Sequence, residues 1–382
     1  MLLTPLFLRF ARGTLLTLAG AVSSLAAADT VTVPVVSSSN VTFRVVAANL
    51  TSGNGQDYQP PGIRILQGLK PDVVAIQEFN YANNTASDLR SFVNTTFGTN
   101  FSFMRETNAA YSIPNGIISR WPIIASGSWE DPDTGVNDRG FAWAHIDLPG
   151  PRDLYVVSAH LKASSGSDNA ARRNAEAGWI KGLVASNFPA NAFIVVAGDF
   201  NIQDSSEAAL QTFKTFLSDA PIPSDAISAG DADTNLGRDE RYDYALPNPS
   251  LATNQVPSVI GAQSYPNGLV FDSRKFTPLT AVSPVQSGDS GVSGMQHMGV
   301  LKDFRISIPV TNQVPVPEPV MRQTAPGVLR WSSLSNLNYA VELTSTLTNW
   351  STAGNAWSAT TNYVFTNSPA SPGARFFRVR YP

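Results

Sequence analysis

The run Ile194-Val-Val-Ala-Gly-Asp-Phe-Asn201 constrains this chain more than any other stretch. Apolar, strand-forming residues end at Gly198, and Asp199 and Asn201 follow two residues apart. In extended backbone, side chains two residues apart point to the same side. A buried strand therefore delivers a carboxylate and a carboxamide together into a cleft at its end, and Gly198 leaves room there for close backbone approach. An acceptor beside a neutral donor suits a site that positions water, a metal and a phosphate oxygen. Read alone, the same residues also fit a strand entering a polar turn, because Asp and Asn are common turn residues. The rest of the chain weighs between these readings.

Other apolar runs repeat the pattern. Strands are predicted at Val41 to Ala48, Asp72 to Gln77, Phe101 to Arg105, Gly116 to Ser119, Ile123 to Trp129, Arg139 to Ile146, Leu154 to Ala159, Arg241 to Leu246 and from His297 to Ile308. Helices are predicted at Gly62 to Leu69, Asp88 to Phe97, Ala170 to Asn187 and Glu207 to Leu217. Long strands with a few helices between them imply an α/β (α+β) layered fold with helices on the outer faces. No repeat of fixed period occurs.

The 382 residues suffice for a large domain and a small one. With 43% apolar and 14% charged residues, the chain is globular rather than disordered. Residues 1–28 read as a signal peptide: Arg9 and Arg12 precede an uncharged small and apolar run, and Ala26-Ala27-Ala28 forms a cleavage site. That run is short for a bilayer span, so export, to the periplasm or beyond the cell, is expected over anchoring. There is no cysteine, which removes disulfides, thiolate metal sites and cysteine nucleophiles.

Charge is unevenly spread. Residues 29–314 carry 19 Lys+Arg against 27 Asp+Glu, whereas residues 315–382 carry five Arg against Glu318 and Glu342. An acidic main domain lowers the expectation of a dedicated nucleic-acid binder, although a local cleft potential can differ from the net charge. Around Pro309 to Pro319 the chain becomes Pro-rich, and beyond it lysine disappears while Ser, Thr, Asn and aromatics increase. The expected organisation is a main domain over 29–308, a linker over 309–320 and a small all-β module over 321–382. That module resembles the C-terminal β modules of secreted bacterial enzymes through Trp331, Tyr339-Ala-Val-Glu342, Trp350 and Phe377-Arg-Val379. Its tryptophans, Trp331, Trp350 and Trp357, are expected in its core rather than on a carbohydrate-stacking face. Its positive charge suits contact with a cell surface or an acidic polysaccharide.

Several strands end in a side chain able to meet a metal or a phosphate: Asn49, Glu78, His160 and Asp199 with Asn201, while Asp243 lies early in its strand and His297 just before the last. The order Asn49, Gln77-Glu78, Ser119-Arg120-Trp121-Pro122, His160-Leu161, Gly198-Asp-Phe-Asn201, Tyr242-Asp243 and Gln296-His297 resembles the endonuclease/exonuclease/phosphatase superfamily over roughly residues 40–308. The resemblance implies a four-layered α/β sandwich of the deoxyribonuclease-I-like type and a metal-dependent phosphoesterase. The expected cation is Mg2+, with Mn2+ and Ca2+ as alternatives. The expected substrate is a phosphodiester, foremost nucleic acid, with a small phosphoester or a phospholipid head group as the rival. A further rival is a degenerate domain that only binds surfaces.

Residue roles carry over one by one. Glu78 matches the metal-ligating glutamate, and Asn49 the asparagine that positions metal or phosphate. His297 matches the general base and Asp243 the aspartate that orients it. Asp199 would orient the attacking water, Asn201 would bind a phosphate oxygen, and His160 would donate to a phosphate oxygen or leaving group. Arg139 and Arg120 are weaker candidates for phosphate contact, and His145, inside an alternating strand, is expected to be structural. One departure stands out. The family pattern Ser-Asp-His is here Met295-Gln296-His297, which removes a carboxylate and puts a second metal site in doubt. Asp231-Ala-Asp233-Thr-Asn235 begins like a calcium loop but lacks the glycine and glutamate at the required positions. Trp121 and Trp129 are the candidates for an exposed membrane-seeking hairpin.

Overall fold

The computed structural model describes residues 14–16, 32–132, 139–227, 230–315, 320–325, 328–366 and 376–380. The chain divides into two compact units, one spanning Ser38–Pro309 and the other combining residues up to Ser37 with Val310–Pro382.

In chain order the elements begin with β1 (Thr14–Leu16), β2 (Thr32–Ala48), α1 (Pro60–Leu69), β3 (Val73–Ile76), α2 (Ala86–Thr96), β4 (Ser102–Arg105), β5 (Gly116–Ser119), β6 (Ile123–Trp129) and β7 (Phe141–Ile146). There follow β8 (Leu154–His160), α3 (Ser167–Asn187), β9 (Phe193–Asp199), α4 (Ala208–Lys214), β10 (Asp243–Pro247), α5 (Pro249–Ala252) and the short strands β11 (Gln255–Val256), β12 (Ser258–Ile260), β13 (Gln263–Tyr265) and β14 (Leu269–Phe271). The last strand of the larger unit is β15 (Gly299–Pro315), so the Pro-rich segment begins inside a strand. Residues 316–319, the centre of the expected linker, lie outside the described residues.

Two sheets face each other. One has the order β11-β15-β2-β3-β5-β4, with β14 also paired to β15, and the other the order β10-β9-β8-β7-β6. Strand alternation splits the apolar side chains between layers. Val45, Ala47, Val73, Ala75 and Ile117 meet Ala142, Ala144, Val156, Val195 and Ala197 in the space between the sheets. Val46, Val74, Ile76 and Ile118 face the other way and are covered by Ile65, Leu66 and Leu69 of α1 and by Phe92 and Val93 of α2. Ala177, Ile180 and Val184 of α3, with Leu210 and Phe213 of α4, cover the second sheet. The result is helix, sheet, sheet, helix: the expected four-layered sandwich. Because the central strands are buried on both faces, they read as continuous apolar runs in the sequence.

Local signals account for the helix ends. Pro60 and Pro61 supply the preset φ that suits a first turn, and Lys70 closes α1 in the left-handed region. Thr85 and Asp88 form a reciprocal capping box at α2. The excursion between β10 and β15 carries no strong sequence pattern, yet β14 joins the first sheet through Leu269↔Leu301 and Phe271↔Gly299.

Lys302 on β15 is fully buried, and its amine has no hydrogen-bond partner. Burial lowers its pKa from 10.5 to about 8, against the pull of Asp219. Between those values the unfolded chain holds a proton that the folded chain does not, so stability rises with pH from about 8 to 10.5 and the cost is fully present below. Lys302→Met is expected to stabilise the protein at pH 7 by up to about 3 kcal/mol. The gain should shrink as pH rises through that window, as followed by urea unfolding.

The smaller unit holds β16 (Arg322–Ala325), β17 (Val328–Ser332), β18 (Asn338–Thr344), β19 (Ser351–Trp357), β20 (Asn362–Thr366) and β21 (Phe376–Arg380). They form a β16-β17-β20 sheet and a β1-β21-β18-β19 sheet around Leu329, Trp331, Tyr339, Val341, Tyr363 and Val379. Trp331 is a core residue as expected, but Trp357 is 62% exposed and does not help fill the core. Trp350 is stacked beneath the Arg378 guanidinium at 4.5 Å. β1 lies within the segment expected to be a leader.

Candidate active site

The site lies where strands of both sheets end. Parallel pairing of β8 with β9 sets His160 opposite Asp199, and antiparallel pairing of β10 with β9 sets Asp243 opposite the same residue. On the facing sheet, β2 and β3 run parallel, so the residues following them, Asn49 and Glu78, emerge side by side. Glu78 and Asn201 both adopt positive φ, +51° and +50°, at the turns that leave their strands. Asn tolerates this region; for Glu it is strain of the kind that collects at functional sites.

The side chains of these strand ends form one buried cluster. Asn49 Nδ2 donates to Glu78 Oε1 and to Asp199 Oδ2, both at 3.2 Å, and so bridges the two sheets. Thr51 Oγ1 donates to Glu78 Oε2 at 2.6 Å, and Gln56 Nε2 to Glu78 Oε1 at 3.0 Å. His297 Nδ1 lies 2.9 Å from Asp243 Oδ2. His297 Nε2 and His160 Nε2 each lie 3.3 Å from Asp199 Oδ2. The Asn201 amide donates to Asp199 Oδ1 at 3.0 Å, while its side chain donates to the Leu161 carbonyl at 3.1 Å.

Burial and charge divide the two histidines. His160 is held well below the ordinary imidazole pKa by burial, Arg139 and His297, so it is neutral at pH 7. For His297 burial also opposes charge, but Asp243, Asp199, the hydrogen bond to Asp243 and Glu78 outweigh it and raise the value to about 10. Asp199 is pushed up to about 6, by burial first and then by Asp243. Glu78 is raised by burial. Environments that drive similar groups apart are how acid and base roles are assigned within one site. The carboxylates that hold a proton on His297 also carry the charge that a bound cation would neutralise.

The cluster has oxygen donors suited to such a cation. Asn49 Oδ1 and Asp243 Oδ1 are buried without a hydrogen-bond partner. With the carboxylates of Glu78 and Asp199 they make an oxygen-rich donor set of the kind hard divalent cations take. Asp199, Asp243 and His297 also present ligand atoms within 4.8 Å of one another. His297 and Asp243 are hydrogen-bonded to each other, and Glu78, Asn49 and the near edge of Asp199 are the residues that could hold such a cation. The residues present therefore fit the group.

Other candidates fall elsewhere. Arg139 is buried and donates to the carbonyls of His160 (2.6 Å) and Leu161 (2.8 Å), which braces the end of β8. Arg120 follows β5 and lies beside the start of β3, the end opposite Glu78, paired with Asp72 and stacked on Trp121. His145 is structural as expected, bonded to Asp153 and stacked on Tyr155. Gln296 is exposed, whereas Met295 and His297 are buried, so the departure from the family pattern leaves the His297–Asp243 pair intact. Trp121 packs on Phe43, and Trp129 on Trp143 and Phe188, so neither forms an exposed hairpin. The Asp-rich loop is neutralised by Arg238, which pairs with Asp225, Asp231 and Asp272.

Sequence reasoning missed Thr51, Gln56 and Thr234. Thr51 had a signal, since it follows Asn49 by two residues and so can share its side. Thr234 Oγ1 donates to Asp243 Oδ2 at 2.7 Å and accepts from the Tyr242 and Asp243 amides, both at 2.9 Å. It locks the carboxylate that orients His297. Thr234→Val is expected to lower turnover 10- to 100-fold, roughly the cost of losing an orienting partner. Thr234→Ser should restore most of it, as steady-state kinetics would show.

A sandwich that gathers carboxylates, an amide and two unlike histidines at one rim is the framework of a hydrolase acting on phosphate esters. The chain belongs to the Endonuclease/Exonuclease/phosphatase family, whose model matches residues 63–283. Members of that family are phosphoesterase hydrolases that depend on divalent metals. No curated protein matches the chain by sequence. Among solved structures it is similar to an endonuclease/exonuclease/phosphatase from Beutenbergia cavernae DSM 12333, at 17% identity over 88% of this chain and 95% of that one, with a TM-score of 0.46. It is also similar to an AP endonuclease from Archaeoglobus fulgidus (14% identity, 69% and 99% covered, TM-score 0.46). A third is D. rerio TDP2 complexed with a single-strand DNA product (16% identity, 69% and 98% covered, TM-score 0.45).

Proposed function

We propose that this protein is an exported, divalent-cation-dependent phosphodiesterase that acts on nucleic acid. The observation that supports it most is the His297–Asp243 pair at 2.9 Å, set beside Asp199 and linked through Asn49 to Glu78. In this reading Glu78 and Asn49 hold the cation, Mg2+ foremost with Mn2+ or Ca2+ in its place. When bound, the cation supplies positive charge that screens the phosphate and stabilises the leaving oxygen.

The chain's own groups do the rest. In its neutral form His297 takes the proton of the attacking water at Nε2, and Asp243 fixes the tautomer by accepting from Nδ1 and stabilises the imidazolium that forms. Asp199, 3.3 Å from that Nε2, orients the water. Neutral His160 donates from Nε2 to a phosphate oxygen or the leaving group. Asn201 is placed by its backbone bond to Asp199 to meet a second phosphate oxygen. Arg139 acts from behind, holding the His160 backbone.

Export is part of this reading and rests on the leader-like residues 1–28. N-terminal sequencing of the exported chain tests it, with Asp29 as the expected first residue. No helix among the described residues is long and apolar enough to cross a membrane.

Incubation of the purified protein with plasmid or single-stranded DNA and Mg2+, against an EDTA control, tests the activity. Cation-dependent cleavage is expected. Turnover of small phosphoesters or choline head groups without any cleavage of nucleic acid would replace the substrate assignment and keep the catalytic one.

A further inference from the structure

The smaller unit carries a surface that the catalytic chemistry does not use. On the β16-β17-β20 sheet the register sets Arg322 directly opposite Arg330, Arg330 opposite Val364, and Ser332 opposite Asn362. Along β17 and β20, Leu329, Trp331, Tyr363 and Phe365 point into the core, which leaves Arg330, Ser332, Asn362 and Val364 on the outer face. Arg322, Arg330, Ser332 and Asn362 line a hollow of about 640 Å³ on that face.

Like charges placed directly across two strands destabilise the pairing unless something neutralises them. Residues 315–382 contain no aspartate, and Glu318 and Glu342 are their only glutamates. Glu342 is already paired with Arg378 on the other sheet. Among the described residues neither Arg322 nor Arg330 makes a side-chain hydrogen bond or an ion pair. Two adjacent guanidinium groups with free forks, flanked by a hydroxyl and a carboxamide, match the donor needs of phosphate oxygens.

We propose that this face binds the phosphate backbone of a nucleic acid and recruits it to the enzyme. The inference rests on the nucleic-acid reading of the active site and extends it. The charge distribution favours this occupant. Residues 29–314 have an excess of eight acidic residues and repel a polyanion, whereas residues 315–382 have an excess of three basic ones. A basic module tethered to an acidic catalytic domain raises the local concentration of a polyanionic substrate that the catalytic surface alone does not attract.

The test uses the full chain, the charge-reversed variant Arg322→Glu/Arg330→Glu and three readouts. In EDTA, anisotropy of a labelled single-stranded oligonucleotide reads binding. The variant should bind more weakly and lose roughly 1.4 from the slope of log affinity against log salt, the share of two phosphate contacts on a single strand. With Mg2+, its KM for the polymer should rise on the order of tenfold while kcat holds. Hydrolysis of bis(p-nitrophenyl) phosphate should be unchanged, because that ester has no chain to recruit.

Equal oligonucleotide binding by variant and wild type would overturn the proposal. So would arginine-dependent binding of a sulfated polysaccharide with none of the oligonucleotide. If charge reversal unfolds the module, seen as a lost unfolding transition, Arg322→Gln/Arg330→Gln gives the same decision. Should the wild type bind the oligonucleotide through these arginines yet cleave only small esters, the active-site reading fails and the recruiting surface stands.

Discussion

His297→Ala is expected to lower kcat on a phosphodiester by on the order of a thousandfold while leaving cation binding in place. The magnitude is that of removing a positioned general base. The separation of the two effects follows from geometry. His297 bonds Asp243 and faces Asp199, whereas Glu78 is held by Thr51, Gln56 and Asn49. Asp243→Asn should cost a comparable factor, because it removes the charge that sustains the imidazolium and replaces one carboxylate oxygen by an NH2 group that can only donate. The double variant should be little worse than either single one, since the two groups act as a unit. Rapid-quench turnover and Mg2+ calorimetry on the same preparations would measure both quantities. Activity of His297→Ala within about tenfold of wild type would take the base role away from His297.

Gly198→Ala should be the most damaging small substitution in the sandwich. A methyl group there would sit 2.0 Å from the Ala159 carbonyl oxygen on the neighbouring strand and 2.7 Å from Gln77 Nε2 on the opposite sheet. Neither neighbour can yield. The carbonyl belongs to β8, and Gln77 is fixed by its bond to Ser158 Oγ, which in turn donates to the Ile76 carbonyl. Gly198 also holds φ at +142°, which L-residues rarely adopt. Overpacking and backbone strain together predict a loss of about 4 kcal/mol, read as a lower urea midpoint. Because Asp199 is the next residue, the surviving folded fraction should also turn over more slowly. Gly178, on α3 with open space around its Cα, is the control: Gly178→Ala should stabilise by up to about 1 kcal/mol. A Gly198→Ala protein as stable as wild type would show that the two sheets do not close on this glycine.

The central β strands of the sandwich were legible because they are buried on both faces and so read as apolar runs, as in Val73–Ile76 and Phe193–Asp199. The strands β11 to β14 were not, because they are two or three residues long, and pairing rather than local pattern makes them strands. The smaller unit shows the same limit. Nothing local to Arg322 said that it would lie across from Arg330.

The sequence by itself determined the layered α/β class, the separate β module and the seven polar residues Asn49, Glu78, His160, Asp199, Asn201, Asp243 and His297, because periodicity and strand-end position are local properties of the chain. Tertiary structure alone decided how they meet. It set Asp199 between two histidines, gave Asp243 to Thr234 and His297 together, and closed Asn49 across the gap between the sheets. It also turned Arg139 into a backbone brace and shifted the pKa values of two similar imidazoles in opposite directions. Register, burial and the electrostatic field arise only when distant segments meet, and they convert a set of suitable side chains into groups with separate roles.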